Sequence, residues 1–542
     1  MSFRKVCHTL TLAVSVSVIA ALPASASPAP SGLGHIEFPT SGSPEAQRHF
    51  LRGVAALHSF WYEEARNAFR KSTAASPNFM MGYWGEAMTH TRPIWREQDL
   101  DAGRAALAKT RTNQKLTARE QGYLNAVRIL YGKGEKQARD KAYSSAMAKI
   151  HQDYPDDVEA ACFYALSLLG LARGSHDGYR LQIQAGAVTL EVFRKKPNHP
   201  CAAHYTIHAF DHPDLAILAL PAARRYARVA PESHHAQHMP AHIFVQLGMW
   251  PDAAASNKAG WKESLAWVER EGLPWGHRDY HSLHWLLYTY LQQGRYKAAE
   301  QVLTQKRTHM QETLAAPKPT ASSQPRKASR YYGRMMAAFV VETERWDTAA
   351  GLASVPGWKP SKSARAVMAF VQGLAAAMQG QPEAQTHVAT LQALRKQRGN
   401  KDPFHKAERL DIWAMEVRAA ALASSGDYEG SIAIMKEATA LEEELPPPSG
   451  PPMIIKPSHE LLGEILLRAG QPTEAAEQFS ISLRRHPNRA RPLLGAARAA
   501  EQAGDRAEAV ERYTKLLEIW SKADPELPDL REATRVTITP QT

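Results

Sequence analysis

Three cysteines in 542 residues are too few for a disulfide framework, and the chain is also poor in other organising features. Cys7 lies in a leader-like N-terminus, which leaves Cys162 and Cys201 able to form one bridge at most. Beyond that N-terminus no stretch approaches about 18 uninterrupted apolar residues, so no membrane span is expected in the mature chain. Long runs of one-signed charge are missing too. The formal net charge of +12 is spread as Lys and Arg among Asp and Glu, which reads as a solvated surface, with no nucleic-acid partner expected. There is no His-Glu-x-x-His motif, no Gly-rich phosphate loop and no Gly-x-Ser-x-Gly elbow. No reaction class can be read from a motif, and whether the chain is an enzyme stays open.

What is present begins with Arg4 and Lys5, followed by an apolar run from Leu10 to Leu22 and the small-residue pattern Ala24-Ser25-Ala26. This predicts a secretory signal peptide over 1–26 and a periplasmic or secreted chain. Losing Arg4 and Lys5 lowers the formal charge by two, from +12 to +10. A linker is expected at 27–42 and another at 313–328, where "AAPKPTASSQPRKAS" is rich in breakers. Between them lies a helical array at 43–312. Further helices are expected at 329–442 and 456–522, separated by a proline-rich connector at 443–457 that could lie as a strap across a groove. The residues 523–542 read as a tail.

The segment "GVAALHSFWYEEARNAFRKSTAASP" spaces Gly53, Ala65, Phe69 and Pro77 as small, small, aromatic and breaker. The same skeleton returns as Gly463, Gly470, Ala475, Phe479 and Pro487, and in "LGMWPDAAASNKAGW", "QQGRYKAAEQVL", "SSGDYEGSIAIM" and "QAGDRAEAVERYTKLL". These units resemble tetratricopeptide repeats. The resemblance implies an all-α, right-handed α-solenoid of helix-turn-helix repeats, a class that commonly binds peptides or proteins in its concave groove. The runs at Trp61–Ala65, at Met239–His242 and at "SGPPMIIKP" also resemble exported bacterial tetratricopeptide-repeat proteins of undefined activity.

Eleven of the 23 histidines lie between His199 and His284. Pro155, Pro197 and Pro231 each precede a first helix that starts three residues later, and Gly294 with Ala299 set the next start at Tyr280. In that register the second position of successive first helices holds Glu159, Cys201, His235 and His281. The fifth holds Cys162, His204, His238 and His284. The ninth holds Leu166, His208, His242 and Tyr288. Residues four apart share a helix face, so His204 with His208 and His238 with His242 can converge on an ion. In tetratricopeptide repeats these three positions line the groove, which the resemblance extends to this chain.

The sequence therefore predicts a transition-metal site, of Zn, Cu or Fe, with His204, His208, His238, His242, His281 and His284 as leading ligands. Cys201, His235, His212 and Cys162 are second choices, unless the two cysteines are bridged and leave the set. Glu159 and Asp211 are candidate ligands or general bases, should the groove be a hydrolytic zinc or non-haem iron enzyme. The other readings are a groove for a peptide, protein or small molecule without metal, and histidines that only hydrogen-bond and stack.

Overall fold

The chain folds as helices that pair in antiparallel fashion, and a computed structural model describes residues 32–111, 116–172, 178–315, 329, 331–397 and 406–538. The leader expected at 1–26 lies outside the described residues, as do 316–328 of the second linker. Among the described residues the one sheet is a two-stranded antiparallel pair, Thr91–Arg92 with Glu97–Gln98. No helix among them is long and apolar enough to cross a membrane.

The repeat skeleton acts as a packing rule. The Phe69 ring lies between Gly53 and Gly85, where an added Cβ would stand 2.6 Å and 2.3 Å from it. Phe479 is held in the same way between Gly463 and Gly495. Hydrogen in place of a side chain at these positions lets three successive helices close around one aromatic ring. Within the helix pairs the turn is made by a residue in the left-handed region, supplied by Gly248, Gly294, Gly380, Gly426, Gly470 and Gly504 at φ values between 64° and 90°. Phe60 and Glu344 take this place at φ 54° without being glycine.

Three expectations are corrected by packing. The segment expected to be a linker at 27–42 is core where it is described. Leu33 and Phe38 are buried, and the Phe38 ring meets Phe50, Trp84 and Tyr123 at 5.3, 5.9 and 5.0 Å. The expected tail at 523–542 contains a helix, Pro528–Ile538, docked through buried Ala533 and Val536. Arg498 holds it by pairing with Asp529 and Glu532. Its short apolar stripe, two residues deep, was too brief to register as a period. Third, the first helix expected to start at His234 and to carry His238 and His242 on one face is interrupted, His234–His238 being followed by Pro240–Gln246. Pro240 has no N–H to give to the Ala236 carbonyl, and its ring interrupts the ladder at the end of the first segment. The Ser256 hydroxyl donates to Gln237 O at 2.6 Å and to His238 O at 3.2 Å.

The apolar core does not follow the expected subdivision of the array. One cluster joins residues between Leu33 and Tyr288 with residues between Ala490 and Val536, and a second runs from Ala254 to Ile455. The C-terminal helices thus fold back on the repeat at 250–296. Trp250 Nε1 donates to Asn488 O at 2.7 Å, and Trp520 Nε1 to Gln292 O at 3.1 Å. At this seam Arg489 is fully buried between Glu342 and Glu460 and donates to the Tyr288 hydroxyl at 2.9 Å.

Candidate metal centre

The four first helices that set the register begin at Val158, Pro200, His234 and Tyr280, where the prolines and the turn glycine place them. They bring together two groups of three imidazoles, His204 with His208 and His235, and His238 with His242 and His281. Within each group, one nitrogen from every ring lies within 4.8 Å of the others. The two groups are neighbours, with the rings of His208 and His242 at 6.0 Å and those of His235 and His238 at 6.4 Å between centroids. His204 and His238 are fully buried, whereas His208, His235 and His281 are partly exposed and form the rim.

The groups are built by one rule. Positions five and nine of a first helix meet position two of the next, as His204 and His208 meet His235, and His238 and His242 meet His281. One repeat earlier the same juxtaposition joins Cys162, at position five, to Cys201, at position two, as a disulfide. Both cysteines are thereby removed from the candidate ligands. One repeat later His284 has no such partner. About 100° of rotation per residue turns it roughly 60° away from His281. Its ring stacks on Tyr331 at 5.5 Å and it joins neither group. His235 replaces it in the set.

The other candidates are placed away from the nitrogens. His212 packs against Tyr179 at 4.3 Å and accepts from the Asp214 N–H, outside both groups. Glu159 is buried between His58 and His199, at 2.6 and 2.8 Å, and cannot reach the cluster. Burial raises its pKa, but the two histidines prevail and hold it down to about 2. His58 also bonds the Tyr205 hydroxyl at 2.8 Å, and its carbonyl accepts from His204 Nδ1. Asp211 is beside the site, though not in it: Oδ2 accepts from His242 Nδ1 at 2.7 Å and Oδ1 from Gln246 at 3.1 Å.

These outer bonds decide the tautomers. Asn257 Nδ2 donates to Ala253 O at 2.8 Å, so its Oδ1 faces His238 and accepts from Nδ1 at 2.7 Å. A carboxylate holds His242 Nδ1 and a backbone carbonyl holds His204 Nδ1, both acceptors only. Neutral rings therefore aim bare Nε2 lone pairs inward, the arrangement of metal-bound histidines. His238 Nε2 and His242 Nε2 stand 3.2 Å apart, which two lone pairs do not tolerate unless a positive charge lies between them. In the other group His204 Nε2 has His208 Nε2 and His235 Nε2 both at 3.1 Å.

The proline-rich segment lies against this wall as a strap. Pro448 O accepts from Gln246 Nε2 at 2.9 Å, the same amide that holds Asp211. Gly450 rests on the Trp285 ring, where a Cβ would stand 2.1 Å from a ring carbon.

Burial pushes the His204 and His238 pKa values down to about 3, and His486 likewise. In the unfolded chain such rings titrate near 6.5, so below that pH the unfolded state binds more protons than the native one. Stability of the metal-free protein should therefore fall as pH drops from 6.5 toward 3, by on the order of 1 kcal/mol per pH unit from His486 alone, which lies outside the cluster. Denaturant midpoints measured across that window check this, and a flat profile from pH 6.5 to 4.5 would contradict it.

The family model described as "Tetratricopeptide repeat" matches residues 280–305, the helix pair that carries His281 and Trp285. Similar solved structures include the human IFIT1 dimer with PPP-AAAA, at 13% identity over 88% of this chain and 91% of that one, TM-score 0.34. Another is yeast Tom70, at 10% identity over 91% of this chain and 89% of that one, TM-score 0.29. No curated protein matches the sequence.

Proposed function

We propose that this tetratricopeptide-repeat protein holds a transition metal in its histidine cluster, for storage, delivery or metal-assisted chemistry. The observation that carries this reading is the facing pair of Nε2 atoms on His238 and His242, whose Nδ1 positions are both committed to acceptors. A shared proton would relieve that pair alone. A metal ion would also account for the convergence of His281. No carboxylate or thiolate belongs to either group, which disfavours the version of the site with an open carboxylate ligand. The buried disulfide fits the oxidising compartment of an exported chain.

Elemental analysis of protein purified without chelator or histidine tag tests the proposal, alongside a His238→Ala, His242→Ala double variant. Near-stoichiometric metal in the parent is expected, lost or reduced in a variant whose circular dichroism is unchanged. If the parent binds nothing even after reloading with Zn, Cu and Fe, the cluster is not a metal site. The groove would then be that of a peptide- or protein-binding scaffold, the role its fold commonly serves.

A further inference from the structure

Resting on the metal-binding reading, we infer that the cluster is a pair of adjacent sites for two copper(I) ions, one held by His204, His208 and His235 and the other by His238, His242 and His281.

Three observations lead there. The first is repetition. Each group is complete in itself, three nitrogens drawn from positions five, nine and two, and the second is the first displaced by one repeat. A single ion shared by six rings would have no reason to reproduce the same trio twice.

The second is what covers the rings. Phe60 touches all three imidazoles of the first group, at 4.3 Å from His204, 5.5 Å from His208 and 5.7 Å from His235. Trp285 does the same for the second, at 5.0, 4.4 and 5.3 Å from His238, His242 and His281. An aromatic wall against each trio leaves poor surroundings for coordinated water. Structural and catalytic zinc is completed to four ligands, often with water, and hydrated divalent ions lose heavily on entering such a wall. Monovalent d¹⁰ copper is weakly hydrated and accepts three imidazoles without a fourth ligand. Phe60 reaches this position at φ 54°, in the turn place that glycine fills in six other repeats. Backbone strain retained at that residue supports a role for its ring.

The third is charge. All six donors are imidazoles, which bind a metal as neutral ligands. Two carboxylates are bonded beside them, Asp211 to His242, and Asp279, which caps the helix of His281 through the N–H groups of His281 and Ser282. Two monovalent ions are balanced by these two carboxylates, whereas two divalent ions would leave an excess of two positive charges in a partly buried place.

Anaerobic titration of the full chain with copper(I), in competition with the chromophoric chelator bicinchoninate and with ascorbate as reductant, tests the inference. Two ions per chain are expected for the parent and one each for His235→Ala and His281→Ala. His235→Gln and His281→Gln repeat the measurement should either alanine variant lose its helical circular dichroism. Copper should be retained against a tenfold excess of zinc, and Phe60→Ala should raise zinc affinity at the first site at least tenfold. One copper per parent chain, displacement of copper by zinc, or no gain in zinc affinity for Phe60→Ala would overturn the paired copper(I) sites while leaving metal binding intact. A chain that binds neither ion overturns both readings.

Discussion

Arg489→Met should destabilise the protein by about 3–5 kcal/mol, although the residue is far in sequence from the histidines. Its guanidinium is fully buried and lies between two buried carboxylates, Glu342 and Glu460, each at 2.6 Å. Removing it leaves Glu342 with its negative charge unpaired in a low-dielectric interior, while Lys456 still attends Glu460 at 2.8 Å. The Tyr288 hydroxyl loses its donor as well. Methionine fills a similar volume, so the loss reports the charge more than a cavity. Chemical denaturation checks the magnitude. Amide exchange should quicken on both sides of the seam, near Tyr288–Gln292 and near Ala490–Leu494. A loss under about 1 kcal/mol would mean that the carboxylates are neutral in the folded protein.

Filling the histidine sites should stabilise the chain by a comparable amount. An ion present at a thousandfold over its dissociation constant adds about 4 kcal/mol for each site, provided the unfolded chain does not compete. Each trio ties one repeat to the next, Pro200–Ala209 to His234–His238 and then to Tyr280–Gln292. The gain should therefore appear as slower amide exchange across 200–292, with little change in the helices Lys362–Met378 and Ala384–Lys396. Adding chelator should reverse it. Equal melting of the loaded and stripped protein would show that the unfolded chain binds the ion as well as the folded one, or that the ion is not held at all.

Much of this was legible in the sequence, because small residues, turn glycines and terminal prolines act locally. Pro155, Pro197 and Pro231 fix helix starts, and positions two, five and nine carry the metal-competent side chains. What the register did not supply was the offset between neighbouring helices. Position five of one repeat faces position two of the next, and that relation, unknown from sequence, separates His235, which belongs, from His284, which does not. The Cys162–Cys201 bridge was a visible choice between two outcomes, and the same offset decides it. Glu159 was misplaced for a related reason. It shares the second position with His235 and His281, but its neighbours are His58 and His199, whose approach depends on helices far apart in the chain. The strap showed its lack of helix through its prolines, whereas its contact with Trp285 and Gln246 is tertiary.

The seam between the two ends of the array also sets a timetable for biosynthesis. Trp250 and the carbonyl it bonds are separated by 238 residues. At about 5–20 residues per second, a ribosome makes the second partner roughly 10–50 s after the first. Throughout that delay the histidine-bearing repeats exist without the helices that complete their core, and the indole of Trp250 and the hydroxyl of Tyr288 await their partners. A nascent chain in this condition exposes apolar surface for far longer than a helical hairpin takes to form. Its early repeats therefore need to be shielded until the last ones arrive, and metal that reaches them sooner meets an unfinished frame.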